Sequence, residues 1–420
     1  MKLEVITVGT ELLLGHALDT NALDLGTALA AAGIEITRRT TVSDKLVALT
    51  DAVREALDRT GAVLTTGGLG PTRDDLTKQA VAGVFGVPLV LDEAVLKHIE
   101  ARFRRFGRKM TPSNRIQAEL PQGAVALPNP RGTAPGIWLE DDVAGGRLVI
   151  MLPGVPVEMR GLLVEQVLPR LVARARSARE APAVIRSRTL RTTGTPESAL
   201  AERIAAIEDG LGSLTLAYLP STAGVDLRLT AWEMAPEEAD RLLGEAVEQL
   251  KRELGHRCYG EESADLAGVV LELVQRRHQK LTVAESCTGG MLGARLTAIP
   301  GASDTFVGGV IAYSDQVKTA LLDVPQATLD QHGAVSEQTV RAMVEGAARR
   351  FGTDCALAVT GVAGPGGGSP EKPVGFVWLA ARHGGATRTL QRQFLGERDE
   401  IRARSAQAAL DLLRLALLEA

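Results

Sequence analysis

Four times along this 420-residue chain a short apolar run ends in a glycine-rich or hydroxyl-rich turn and a helix-like run follows. Leu3–Val8 leads into Gly9-Thr10-Glu11-Leu12-Leu13-Leu14-Gly15. Ala62-Val63-Leu64 leads into Thr65-Thr66-Gly67-Gly68-Leu69-Gly70-Pro71-Thr72-Arg73-Asp74-Asp75. Leu281–Ala284 leads into Glu285-Ser286-Cys287-Thr288-Gly289-Gly290, and Asp354–Thr360 into Gly361-Val362-Ala363-Gly364-Pro365-Gly366-Gly367-Gly368-Ser369. Continuous apolar runs alternating with helices specify parallel sheets, whose strand C-termini gather ligand-binding groups. Aliphatic residues dominate and aromatics make up only 3%, which favours α/β over all-β architecture.

A chain of this length holds two or three domains, each able to bury its own core. The net charge of −4 supplies no basic field for nucleic acid. No apolar run reaches the ~18 residues of a membrane span, and the strand-like start carries no secretory leader. Cys258, Cys287 and Cys355 are too few and too scattered for a disulfide framework or a zinc site. The expectation is a cytoplasmic protein without a membrane partner.

In the N-terminal part, helix signals at Leu23–Ala32 and Leu46–Leu57 separate strand signals at Ile34–Val42 and Ala62–Leu64. The glycines of 67–70 let backbone N–H groups approach a phosphate, and Asp74 and Asp75 offer carboxylates for a divalent cation. The alternative is a glycine-rich turn with an Asp cap. Composition turns polar at Arg174–Pro182, a boundary signal. Residues 183–255 read as a small β-α-β-α module with no Gly-x-x-Gly loop for RNA, hence structural or dimerising. Gly260–Ser263 reads as a linker. The last domain opens with the periodic helix Leu266, Val269, Val270, Leu273, Val274 and closes with a helix from Arg398 to Leu418.

In that last domain Ser286 sits where a strand becomes a helix, with helix N–H groups expected to face an anion or an oxyanion. The structural alternative is a Ser/Thr helix cap. A serine nucleophile needs a base. His278, His332 and His383 lie outside these motifs, which leaves Lys318, with Tyr313 to relay or orient a proton. A free lysine titrates near ~10.4, so this role requires burial or a neighbouring cation such as arginine. Cys287 is the rival nucleophile. With a phosphate on the glycine-rich loop, the set describes acyl transfer on an amide of a phosphorylated ligand.

Ala284–Gly290, Gly308–Lys318 and Gly361–Gly375 resemble the signatures of nicotinamide-nucleotide amidase (PncC-type) domains. Thr7–Asn21 and Thr65–Asp75 resemble molybdopterin-binding-like (MoaB/MogA-type) domains. In this order, with a small KH-like module between, nearly the whole chain resembles the CinA competence/damage-inducible family. The resemblance implies an N-terminal parallel-sheet domain at 1–173, an α+β module at 183–255 and a C-terminal α/β amidase domain at 262–420. It implies deamidation of nicotinamide mononucleotide to nicotinate mononucleotide without a cofactor, and metal-dependent cleavage of ADP-ribose by the N-terminal domain.

The resemblance places Ser286, Tyr313 and Lys318 in catalytic positions. Cys287, Thr288, Gly289, Thr360, Gly361, Gly364, Gly366, Gly367, Gly368 and Ser369 line the ligand, with Arg398 or Arg402 near it. It places Glu11, Asn21, Gly67, Gly68, Gly70 and Thr72 in the N-terminal site, with Asp74 and Asp75 on the metal. His16 stands where the family pattern has Gln, and Glu397 where it has Asp. A homodimer is expected. The competing classes are an N-terminal domain that binds a pterin or nucleotide without chemistry, and a DNA-uptake scaffold.

Overall fold

In the computed structural model, which describes residues 1–141, 146–177 and 184–419, strand β1 (Lys2–Val8) is covered on both faces. Leu3 and Val5 enter one core cluster, and Ile6 and Val8 enter another. A period of two on a doubly covered strand produces this division. Helix α1 (Thr20–Ala31) supplies Leu25 and Leu29 to the first cluster. Strand β2 (Glu35–Val42) and helix α2 (Leu46–Thr60) follow, and Leu49, Val53 and Leu57 of α2 fill the second cluster. Then come β3 (Ala62–Thr66), α3 (Thr77–Phe85), β4 (Val125–Leu127), β5 (Gly136–Glu140) and β6 (Leu148–Leu152).

The sheet runs β2-β1-β3-β6-β5-β4. Its first four strands are parallel, and β5 runs antiparallel to both its neighbours, β6 and β4. The expected parallel sheet is present, with one reversed strand, β5, near its edge. The Pro/Gly loop 128–135 joins β4 to β5 in a reversal too short for a crossover helix. After β1 the chain pairs on one side with β2 and then on the other with β3, so the switch point lies at the C-terminal ends of β1 and β3.

The middle segment holds β7 (Val184–Thr192), α4 (Glu197–Asp209), β8 (Leu214–Pro220), β9 (Val225–Met234), α5 (Pro236–Leu254) and β10 (Cys258–Glu261), in the sheet order β8-β9-β7-β10. Two elements differ from the sequence reading. β8 follows a tight turn and forms an extra strand. Gly260 and Glu261 are not linker but pair with Arg191 and Leu190. Of the polar boundary 174–182, the helix Leu168–Ser177 covers the start, and 178–182 lie outside the described residues.

By contacts the chain forms two compact units, one of residues up to Arg186 with Ala231–Arg241, the other of Ser187–Thr230 and everything from Leu242. In the second unit, α6 (Leu266–Arg276), β11 (Leu281–Glu285), α7 (Met291–Thr297), β12 (Phe306–Ile311), α8 (Asp315–Leu322), α9 (Glu337–Phe351), β13 (Cys355–Gly361), β14 (Phe376–His383), β15 (Ala386–Gln393) and α10 (Arg398–Leu418) follow in order. The sheet runs β12-β11-β13-β14-β15, parallel across its first three strands. Leu281 and Val283 face α6 and α10, and Ala284 faces α9. Here β11 is the switch strand, so the ends of β11, β12 and β13 open into one crevice. No helix among the described residues is long and apolar enough to cross a membrane.

Candidate active site

The β11 end is not arranged as its sequence suggests. Glu285, 1% exposed, turns its carboxylate onto the start of α7 and accepts from the N–H groups of Gly290 (3.0 Å), Leu292 (3.0 Å) and Gly293 (2.9 Å). The helix N-terminus expected to face an anion is therefore filled from within, by a carboxylate where the dipole favours one. The Ser286 N–H donates to the Val359 carbonyl at 2.9 Å. Among the described residues, the N–H groups left at this turn are those of Cys287 and Thr288. Gly289 and Gly290 take φ of 58° and 95°, which lets the chain double back beneath its own carboxylate.

Ser286, Cys287, Tyr313, Lys318, Thr360, Gly361 and Arg398 line one cavity of about 190 Å³. Ser314 caps α8 through the Val317 N–H, and Lys318 lies one turn in, 1% exposed. Its Nζ donates to the Tyr313 carbonyl (3.3 Å) and the Asp315 carboxylate (3.2 Å). The charged group in direct contact is thus a carboxylate rather than the arginine expected. Asp315 was missed, although its place three residues before Lys318 on one helix was a usable signal. Arg398, in the first turn of α10, donates to the Gly364 carbonyl and to the Tyr313 hydroxyl (3.1 Å). The tyrosine oxygen accepts there, so its own hydrogen stays available. Thr360 donates its hydroxyl to the Ala334 carbonyl (2.8 Å) and so faces the cavity as part of its wall.

Other expected ligand residues lie elsewhere. Arg402 pairs with Asp399 (2.9 Å) and donates to the Thr288 carbonyl (3.0 Å) beside Gly289. It braces the turn behind Ser286. Thr288 is fully buried, with no partner for its hydroxyl among the described residues. Gly366, Gly367 and Gly368 are exposed, and the Ser369 hydroxyl is engaged with Glu371 and the Lys372 N–H. Burial pushes the Cys287 thiol up to about 12.

In the N-terminal unit, Gly67 and Gly68 take φ of 107° and 68° at the end of β3. A Cβ on Gly67 would meet the Val8 carbonyl at 2.4 Å, and one on Gly68 the Thr77 hydroxyl at 2.2 Å. Those contacts require glycine. Asn21 bridges Thr66 (3.0 Å) and the Gly154 carbonyl (2.8 Å), and its Oδ1 is buried without a partner among the described residues. Glu11 folds against Gly9 in the short helix after β1.

The expected metal pair does not converge. Asp75 accepts from the Gly70 N–H (2.7 Å), the Thr72 N–H (2.8 Å) and the Thr72 hydroxyl, so it staples the loop, while Asp74 is exposed. No group of three or more His, Cys, Asp or Glu gathers for a metal among the described residues. Sequence reasoning also missed Lys78, 1% exposed, whose Nζ donates to the Ile116 carbonyl. Burial brings its amine down to about 8, against the pull of Glu119 and Asp75.

Residues 4–173 match the family model "Probable molybdopterin binding domain", 187–260 "Damage-inducible protein CinA KH domain" and 263–417 "CinA C-terminal domain". A "CinA-like protein" of Gemmatimonas aurantiaca is 52% identical over 99% of this chain and 96% of its own length. One from Gloeobacter violaceus is 45% identical over 98% and 95%. The crystal structure of the competence damage-inducible protein A (ComA) from Klebsiella pneumoniae is 38% identical, covering 36% of this chain and 95% of its own, with a TM-score of 0.36. With full-length identity at this level and all three domain models in order along it, the chain belongs to the CinA-like, competence/damage-inducible protein family.

Proposed function

We propose that the second unit hydrolyses the carboxamide of nicotinamide mononucleotide, releasing ammonia and nicotinate mononucleotide. The observation that carries this is the shared cavity of Ser286, Lys318, Tyr313 and Arg398. Lys318 takes the Ser286 proton as Oγ bonds to the carboxamide carbon. The C–N bond then breaks, and ammonia leaves with the proton carried by Lys318. Water hydrolyses the resulting ester and restores the serine. Because ligand cavities run about 300–1,000 Å³, this smaller one suits the carboxamide-bearing ring alone. The phosphate then lies outside it, where Arg398 has N–H donors beyond the two it uses on Gly364 and Tyr313. Burial raises the Cys287 thiol and removes its usual advantage as a thiolate, which supports Ser286 as the nucleophile and Cys287 as a packed neighbour. The test is ammonia release by the full-length protein at saturating nicotinamide mononucleotide. Ser286→Ala turning over well while Cys287→Ala does not would refute the assignment.

For the N-terminal unit we propose cleavage of ADP-ribose, with its diphosphate at the Gly67–Leu69 turn, where the Gly68 and Leu69 N–H groups remain after Asp75 has taken those of Gly70 and Thr72. Asp74, exposed beside the loop and held below the usual carboxylate range by hydrogen bonds from Thr72 and its own backbone, is the carboxylate that would hold a divalent ion, which would supply charge neutralisation for the diphosphate. The support is the glycine-only geometry at the β1/β3 switch point. Hydrolysis of ADP-ribose unaffected by both chelator and Asp74→Ala would refute the metal requirement. Absence of hydrolysis with retained binding would favour a purely binding domain.

A further inference from the structure

The second unit contains a cavity of about 430 Å³ that the amidase reading does not use. It is more than twice the volume of the cavity at Ser286 and lies within the usual range for organic ligands. One wall is apolar: Leu390 of β15, Phe394 just after it, and Ala408 and Leu412 of α10, all partly buried against the core. The facing wall is the turn Thr193–Glu197, which opens α4, together with the loop Pro220–Gly224. That wall is held in place. Gly224 takes φ of 148°, and a Cβ there would meet the Thr192 carbonyl at 2.0 Å. Gln407 ties α10 to the turn through the Thr193 hydroxyl at 3.2 Å.

Two features give this cavity a polar end that fits an anion. The thirteen-residue α4 has Pro196 as its N-cap, without a side-chain cap, so among the described residues its first N–H groups have no side-chain acceptor at the cavity mouth. Arg404 also lines the cavity, and its Nε is shielded from solvent with no hydrogen-bond partner among the described residues. Among the described residues Arg404 has no carboxylate pair, whereas the nearby Asp411 is neutralised by Arg414 at 2.6 Å. A guanidinium with a buried, unmatched N–H is unfavourable unless an acceptor reaches it. The opposite wall offers Phe394 and aliphatic surface for a flat ring.

We propose that this cavity is a second ligand site, which takes a nucleoside monophosphate with its phosphate on Arg404 and the start of α4 and its base against Phe394 and Leu412. The test is hydrogen exchange on the full-length protein with AMP, adenosine or inorganic phosphate as probes. The segments 193–197 and 404–412 report this site separately from any nucleotide bound in the first unit. Saturating AMP should slow exchange there at least tenfold, and adenosine or phosphate alone far less. Arg404→Gln and the cavity-filling Ala408→Trp should each abolish the slowing, with circular dichroism confirming that they fold. Exchange in those segments unchanged by AMP, or slowed equally in wild type and Arg404→Gln, would overturn the proposal. Equal protection by adenosine would refute the anion contact, and equal protection by phosphate would refute the base contact.

Discussion

Replacing Glu285 should loosen the turn that carries Ser286 without touching the serine. The carboxylate accepts three backbone N–H groups, two on one oxygen and one on the other, while 1% exposed. In Glu285→Ala those donors lose a charged acceptor, and the Leu292 donor is buried. At roughly 1 kcal/mol per bond, after water partly compensates the more open donors, the loss is about 3 kcal/mol. That raises local opening by roughly two orders of magnitude. Glu285→Gln keeps the two bonds to one oxygen but sets an amide NH₂ against the Gly293 N–H, and should cost about half as much. The assay is amide exchange at Leu292 and Gly293, read locally because a chain of two units need not unfold in one step. Ammonia release should fall in the same order, since a displacement of about 1 Å at a nucleophile costs on the order of 100-fold. Exchange at those amides within about threefold of wild type in Glu285→Ala would refute the reasoning.

At the catalytic cavity, Ser286→Ala and Lys318→Ala should each lose several orders of magnitude in ammonia release with similar severity, because paired groups act as a unit. Cys287→Ala should keep most of the rate. Lys78 gives up its proton near 8 when folded, against about 10.4 unfolded. Between those values the unfolded chain binds more protons, so the first unit should gain stability as pH rises from about 7 to 10, by up to ~3 kcal/mol. Lys78→Met should flatten that dependence in urea titrations at the two pH values, and an unchanged slope would sink the idea. Asp75→Ala should abolish ADP-ribose cleavage by releasing the 70–72 loop, with the loss persisting at saturating divalent ion. Rescue by excess metal would instead make Asp75 a ligand. A C-terminal fragment starting at residue 262 should melt lower than one starting at 187. The cut removes Tyr259 from the α6/α10 core and the His256 carbonyl from the buried Arg414, 2.6 Å away. Equal melting temperatures would show that these contacts contribute little.

Elements whose signal is local were legible in the sequence. The four apolar runs are all strands, and α10 runs from Arg398 to Leu418 as its pattern implied. β8 was missed although Leu214–Pro220 is as long as other strands and mostly apolar; it ends in proline, is largely half-exposed and shows no clean alternation, so only its pairing with β9 defines it. The Gly260–Ser263 segment looked like linker because glycine and glutamate carry no strand propensity; its pairing with β7 comes from tertiary context. The same division runs through the site. Residue types at strand ends singled out Ser286, Tyr313, Lys318 and Thr360, and the resemblance added Arg398 or Arg402; the first four and Arg398 line one cavity, since a parallel sheet brings its strand ends together. What sequence could not supply was the allocation of hydrogen bonds. Glu285, Asp75 and Ser369 all sit in motifs that read as ligand-binding, yet each has its oxygens engaged within its own loop. A glycine-rich turn needs an internal acceptor to hold its N–H groups as much as a ligand does, and the letters of both arrangements are the same. The carboxylate nearest the turn in sequence is therefore the first candidate for a staple. Of the two residues whose donors are left after that assignment, Cys287 and Thr288, only Cys287 lines the cavity, so its N–H is the one a developing oxyanion there would meet.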